Sequence, residues 1–135
     1  MSSYTVGTNK PIKIKVSASA AGHAATAFFL NNPDVPDSYL RAESNASFSN
    51  SNAARWRNVN SGKSVKGRTV WVRTILDFPQ GFQDKNSYNR AVDQAKRLYK
   101  VELSGGTPAN ISVTFQVKNN VQDEIVVFNS YITLT

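Results

Sequence analysis

The sequence has no cysteine, a single histidine and a single methionine. The missing cysteine excludes disulfides, thiolate zinc sites, iron–sulfur clusters and cysteine nucleophiles. The lone His23 limits imidazole chemistry to one group. It stands between Gly22 and Ala24, and no nucleophile is placed beside it. Acidic residues are few, nine against sixteen basic ones. Asp34 with Asp37 and Asp123 with Glu124 are the closest carboxylate pairs in its turn-rich stretches, and neither has the spacing of a calcium loop. No run approaches the ~20 apolar residues that span a bilayer as a helix. The first residues, Met1-Ser2-Ser3-Tyr4-Thr5-Val6-Gly7, lack the basic and apolar regions of a signal peptide. The expectation is a protein that stays in the cytoplasm as synthesised, unless a non-classical route exports it.

What is present suits β-structure. A chain of 135 residues with 40 % apolar side chains is the size of one ordinary domain, residues 1–135, and supports one core without a staple. Charged residues make up only 19 %. The polar surface must therefore come from Ser, Asn, Thr and Gln, which fits strands and long loops better than a helical bundle. The formal charge of +7 is uneven. In 1–40, Lys10, Lys13 and Lys15 face Asp34 and Asp37. In 41–73, Arg41, Arg55, Arg57, Lys63, Lys66, Arg68 and Arg73 face Glu43 alone. Beyond 73 the charges balance. A local excess of this kind makes a positive field if the fold keeps it together.

Alternation marks the strands. In 11–18, Ile12, Ile14, Val16 and Ala18 share one parity, with Lys13, Lys15 and Ser17 on the other, the pattern of a half-buried strand. A turn at Ala20-Ala21-Gly22 and a returning strand from His23 to Leu30 predict a first hairpin. Residues 31–64 are rich in turn chemistry, with short strands expected near 46–49 and 55–59. The longest strand signal is 65–78. It sets Val70, Val72, Leu76 and Phe78 against Thr69, Trp71, Arg73 and Ile75. Helical spacing takes over at 86–100, where Tyr88, Val92, Ala95 and Tyr99 share a face, with Asn86 or Ser87 as the expected cap. A strictly alternating strand follows over 110–118. The last strand, 124–134, is apolar on both faces around Ile125–Phe128, as in a central strand or one covered by the helix or another subunit. The predicted fold class is mostly β: a two-sheet antiparallel sandwich, jelly-roll or Ig-like, with one helix near 86–100. The alternative is an α+β open antiparallel sheet with the helix packed on one face.

Gly62-Lys63-Ser64 resembles the end of a phosphate loop, but position 57 is Arg where that pattern needs Gly, and a strand follows instead of a helix. Asn45-Ala46-Ser47 and Asn110-Ile111-Ser112 match the glycosylation acceptor, which has meaning only in a secreted chain. The better lead is basic and aromatic. Arg55-Trp56-Arg57 and Trp71-Val72-Arg73 each set tryptophan beside arginine. Exposed tryptophan stacks on a base or sugar while arginine takes phosphate or carboxylate. The candidate binding residues are Arg55, Trp56, Arg57, Lys63, Lys66, Arg68, Trp71 and Arg73. No cofactor is implied. The function expected is a non-enzymatic interaction or assembly module that docks on a protein partner or on copies of itself. The alternatives are a binding module for an anionic polymer (nucleic acid) or a glycan through 55–73, and an enzyme working through carboxylates, Lys or Tyr.

Overall fold

The computed structural model describes residues 2–7, 10–19, 22–31, 41–48, 51–53, 57–61, 65–78, 84–120 and 125–135, with backbone alone at 19, 22, 23, 31, 41–48, 51–53, 57–61 and 120. The strands in chain order are β1 Ser2–Val6, β2 Pro11–Ser19, β3 Gly22–Asn31, β4 Arg41–Phe48, β5 Ser51–Ala53, β6 Arg57–Ser61 and β7 Thr69–Asp77. The helix α1, Lys85–Leu98, follows. Then come β8 Lys100–Ser104, β9 Gly106–Thr107, β10 Asn110–Ser112, β11 Gln116–Asn120 and β12 Ile125–Leu134.

They form two sheets. A curled seven-stranded sheet runs β4-β3-β7-β12-β1-β9, with β11 also on β12. A five-stranded sheet runs β10-β8-β2-β5, with β6 also on β2. Every described pairing is antiparallel except that of β1 with β12. The inner faces share one core. Ile12, Ile14 and Val16 of β2 with Val101 and Leu103 of β8 meet Phe28, Val72, Phe128 and Ile132 of the larger sheet. Two sheets on one core make the fold a mostly β sandwich, with α1 the one full helix among the described residues, and not the open sheet. Among the described residues no helix is long and apolar enough to cross a membrane.

Several local expectations are corrected. Residues 11–18 and 23–30 do not form a hairpin. β2 lies in the smaller sheet and β3 in the larger, so the chain crosses between layers after Ser19. Alternation fixes which face of a strand is buried; it does not fix the neighbour. The turn expected at Ala20–Ala21 lies outside the described residues. Similarly, 110–118 is two strands. β10 pairs with β8 in the smaller sheet, and β11 with β12 in the larger. The parity survives the switch, with Val113 buried between them. The 65–78 strand starts only at Thr69. Val65 to Arg68 is a turn closed by the Arg68 N–H donating to the Val65 carbonyl at 3.0 Å, and Gly67 takes the positive φ of +85° that the turn demands. In 31–64 the structure holds β4, β5 and β6, with β4 longer and earlier than expected.

The helix lies against β2 and buries Tyr88, Val92 and Ala95, with the Tyr88 hydroxyl donating to the Ile125 carbonyl at 3.2 Å. Its cap is Asp84, not Asn86 or Ser87: the Asp84 carboxylate accepts from the Ser87 N–H at 2.7 Å. Just past the helix, Tyr99 turns into the core and stacks on Phe128, with ring centres 4.2 Å apart. Phe115 meets both rings edge-on.

Candidate interaction face

The seven-stranded sheet turns one face to the core and the other outward, and the outward face concentrates large side chains. On β7 the inward residues Val70, Val72, Thr74 and Leu76 are buried, whereas Thr69, Trp71, Arg73 and Ile75 are half-buried. β3 and β12 flank β7 in antiparallel register, so side chains directly opposite one another form rows across the strands. Phe29 faces Trp71, and Trp71 faces Tyr131. The rings stack along that row, with centres 4.8 Å and 5.9 Å apart and interplanar angles of 29° and 11°. The next row is Ala27, Arg73 and Asn129, and the one after is Ala25, Ile75 and Val127.

Polar groups lock the aromatic row. The Trp71 Nε1–H donates to Asn129 Oδ1 at 2.9 Å, so the only polar atom of the indole has a partner inside the chain. The Arg73 guanidinium carbon lies 5.8 Å from the Trp71 ring centre, within reach of a cation–π contact. The stacking has a consequence for ligands. Trp71 has a ring against each of its two faces, so a base or sugar that stacks on it must first displace Phe29 or Tyr131. What the row presents outward is ring edges and, at its end, Tyr131, which is 38 % exposed.

The other layer differs in kind. On the outer face of the smaller sheet Lys13 pairs in register with Ser104, Lys15 with Glu102 and Ser17 with Lys100. These side chains are half-buried or exposed, while Ile12, Ile14, Val16, Val101 and Leu103 point inward. One outer face thus carries the aromatic row with Arg73, Gln116 and Lys118 around it, and the opposite one is polar and rich in lysine.

The basic candidates divide accordingly. Trp71 and Arg73 come together on the larger sheet. Lys66 is exposed and Arg68 half-buried in the turn before β7. Arg57 starts β6 in the smaller sheet, at the register position opposite Ile14. Arg55, Trp56 and Lys63 lie outside the described residues, as do Asp34, Asp37, Asp123 and Glu124. Of His23 only the backbone is described, on β3. Among the described residues, no three His, Asp or Glu side chains gather as metal ligands do. Sequence reasoning missed Phe29, Asn129 and Tyr131. The signal was their parity: each lies on its strand's less aliphatic face. Only register shows that they meet Trp71.

No protein-family model, curated protein or solved structure matches the chain. The reading of this face therefore rests on its geometry.

Proposed function

We propose that the chain is a non-enzymatic interaction module that docks on a protein surface through the outer face of its seven-stranded sheet. The observation that carries this reading is the row Phe29–Trp71–Tyr131 with Arg73 beside it. Trp, Tyr and Arg are the residue types that dominate binding energy when they cluster at the centre of an interface. Here three of them adjoin on a rigid sheet. The rings are held by mutual stacking, so little side-chain freedom is left to lose on docking. Since the indole N–H is already paired with Asn129, covering Trp71 leaves no unsatisfied donor.

The test places a photo-reactive phenylalanine analogue at Gln116, an exposed residue in register with Asn129 on this face. The control places it at Lys13 on the opposite layer. Adducts with protein, in cells making the chain, are expected from position 116 and not from position 13. Equal yields, or none from 116, refute the reading.

A polyanion-binding surface is the second reading. What favours it is the grouping of Lys13, Lys15 and Lys100 on the other layer, where a phosphate-bearing polymer meets flexible cations with no aromatic row between them.

A further inference from the structure

We propose that one end of the sandwich, where Lys10 and Lys13 meet the turn that carries Lys66 and Arg68, docks on duplex nucleic acid through its phosphates. The proposal rests on the polyanion reading above and gives that surface its place and its ligand.

Topology brings these cations to one end. β6 ends at Ser61, in register with Pro11 at the start of β2. β6 belongs to the smaller sheet and β7 to the larger, so Lys66 and Arg68 stand where the chain passes between layers at this end. Lys10 directly precedes Pro11. Lys13 pairs with Ser104, and the next residue, Gly105, lies against the Pro11 carbonyl. Lys10, Lys13 and Lys66 are exposed, and Arg68 is half-buried.

The turn is a fixed platform. The Gly67 N–H donates to the Leu134 carbonyl at 2.6 Å, and the Leu134 N–H donates to the Arg68 carbonyl at 2.8 Å. These bonds tie the turn to the end of β12, and Val65 anchors it in the core. A Cβ built on Gly67 would meet nothing within 4 Å among the described residues. The tip thus stands in open space on a held backbone. Lys66 has only side-chain freedom to lose on meeting an anion.

Charge balance favours this end over the rest of the lysine layer. Lys15 faces Glu102 across the β2–β8 pair, whereas Lys13 faces the neutral Ser104. The carboxylate lowers the positive field around Lys15 and leaves that around Lys13. Asp77 lies at the opposite end, in register with His23 and Ile125, and Asp84 caps the helix that follows. No described acidic side chain lies at the Lys10 end, and Asp34 and Asp37 are outside the described residues. Even counting the carboxylate of Thr135, the four cations face a single anion there.

The side-chain types choose the polymer. Tyr131, the one exposed ring among the described residues, lies on the outer face of the larger sheet against Trp71, not among these cations. Single strands are held largely by stacking their bases on aromatic side chains. Cations without rings contact phosphates. A duplex keeps its bases stacked and presents one charge per about 1.7 Å of its axis.

The test is binding of the purified full chain to a short fluorescent duplex of mixed sequence, read by anisotropy over a range of salt. Lys10→Glu with Lys66→Glu should weaken binding at least about tenfold at low salt and flatten the dependence of log affinity on log salt by about 2. Lys10→Arg with Lys66→Arg keeps the charge and should bind as the native chain does. Lys10→Gln with Lys66→Gln repeats the test without new charge should the glutamate variant unfold by circular dichroism. Lys96→Glu with Arg97→Glu makes the same change of net charge on the helix and should weaken binding far less. A native chain that leaves the duplex free at low salt overturns the proposal. So does equal weakening by the helix variant, or tighter binding of the single strand of the same sequence. Duplex binding lost in Lys13→Glu with Lys15→Glu but kept in Lys10→Glu with Lys66→Glu refutes this end and leaves the lysine layer as the surface. Retention on heparin without duplex binding refutes the duplex and leaves the polyanion reading standing. Neither heparin retention nor duplex binding refutes both.

Discussion

Three hydroxyl groups in the core show how much a single side chain supports. Thr74 Oγ1 lies 2.9 Å from Thr26 Oγ1 and 2.7 Å from the Tyr99 hydroxyl, and all three residues are buried. Thr74 is the middle member, so its hydroxyl serves both neighbours. Thr74→Val keeps the shape and removes the group. It leaves Tyr99 and Thr26 each without this partner in the interior, at an expected cost of about 1–3 kcal/mol in urea unfolding. Thr74→Ser, which keeps the hydroxyl, should cost less. A valine variant as stable as the native chain would show that the hydroxyl chain contributes nothing. Burial also pushes the Tyr99 phenol above its ordinary value of 10.0, against the smaller opposing effect of the Thr74 hydrogen bond. The folded state thus holds a proton that the unfolded state releases above about pH 10. Stability is unaffected below that pH and falls as pH rises beyond it.

At the scale of elements, the helix is the clearest case of what the sequence shows and what it hides. Its apolar spacing over Tyr88, Val92 and Ala95 was legible, because a 3.6-residue period has few other meanings. Its start was not. Asp84, Asn86 and Ser87 are all good caps, and only the backbone decides among them. Asp84 takes the role, with its carboxylate on the Ser87 N–H. That hydrogen bond, and the Ser87 side chain after it, holds its pKa below the ordinary value of 3.8. The charged form is the one favoured by folding. Its contribution is therefore complete above pH 3.8 and is lost as pH falls through the lower folded value. Asp84→Asn caps without a charge and should remove this part of the acid dependence. The difference in melting temperature between native and variant chains should shrink as pH falls from 5 toward 2. A difference constant over that range would mean that the carboxylate charge adds nothing to the cap. The strands follow the same division. Parity along β2, β7 and β12 was legible, since a face is buried or it is not. The assignment of β2 and β3 to different sheets, and the split of 110–118, were not legible, because a strand's sequence does not name its neighbour. The site was half visible for that reason. Trp71 and Arg73 stand two apart in one strand, whereas Phe29, Asn129 and Tyr131 reach them only through pairing.

The whole molecule sets a layer with an aromatic row against a layer of lysines, and this arrangement separates two activities that composition alone would merge. A net charge of +7 attracts polyanions diffusely wherever its members lie. A surface that binds does so through particular cations. Lys13 and Lys15 lie on one outer face, in register with β8. Arg73 lies on the opposite outer face, against Trp71. If the aromatic layer is covered by a docked protein, Arg73 is out of a polymer's reach, while the lysine layer remains open. Charge reversal should then have opposite consequences at the two places. Lys13→Glu with Lys15→Glu should elute from heparin at clearly lower salt and keep the native mass in solution. On duplex DNA, losing two phosphate contacts should flatten the dependence of log affinity on log salt by about 2. Arg73→Glu places a carboxylate beside the indole ring and should lower the adduct yield from position 116, while its heparin elution shifts no more than that of charge reversal at a single exposed lysine on the helix, such as Lys85. The internal comparison is the helix. Lys96 and Arg97 end α1 and are exposed, so reversing them changes net charge by the same four units as the double lysine variant. An equal loss of heparin binding in those two double variants would mean attraction by net charge with no surface of its own. A heparin loss in Arg73→Glu as large as that in the lysine variant would place the polyanion on the aromatic layer instead, where it would compete with the docked protein.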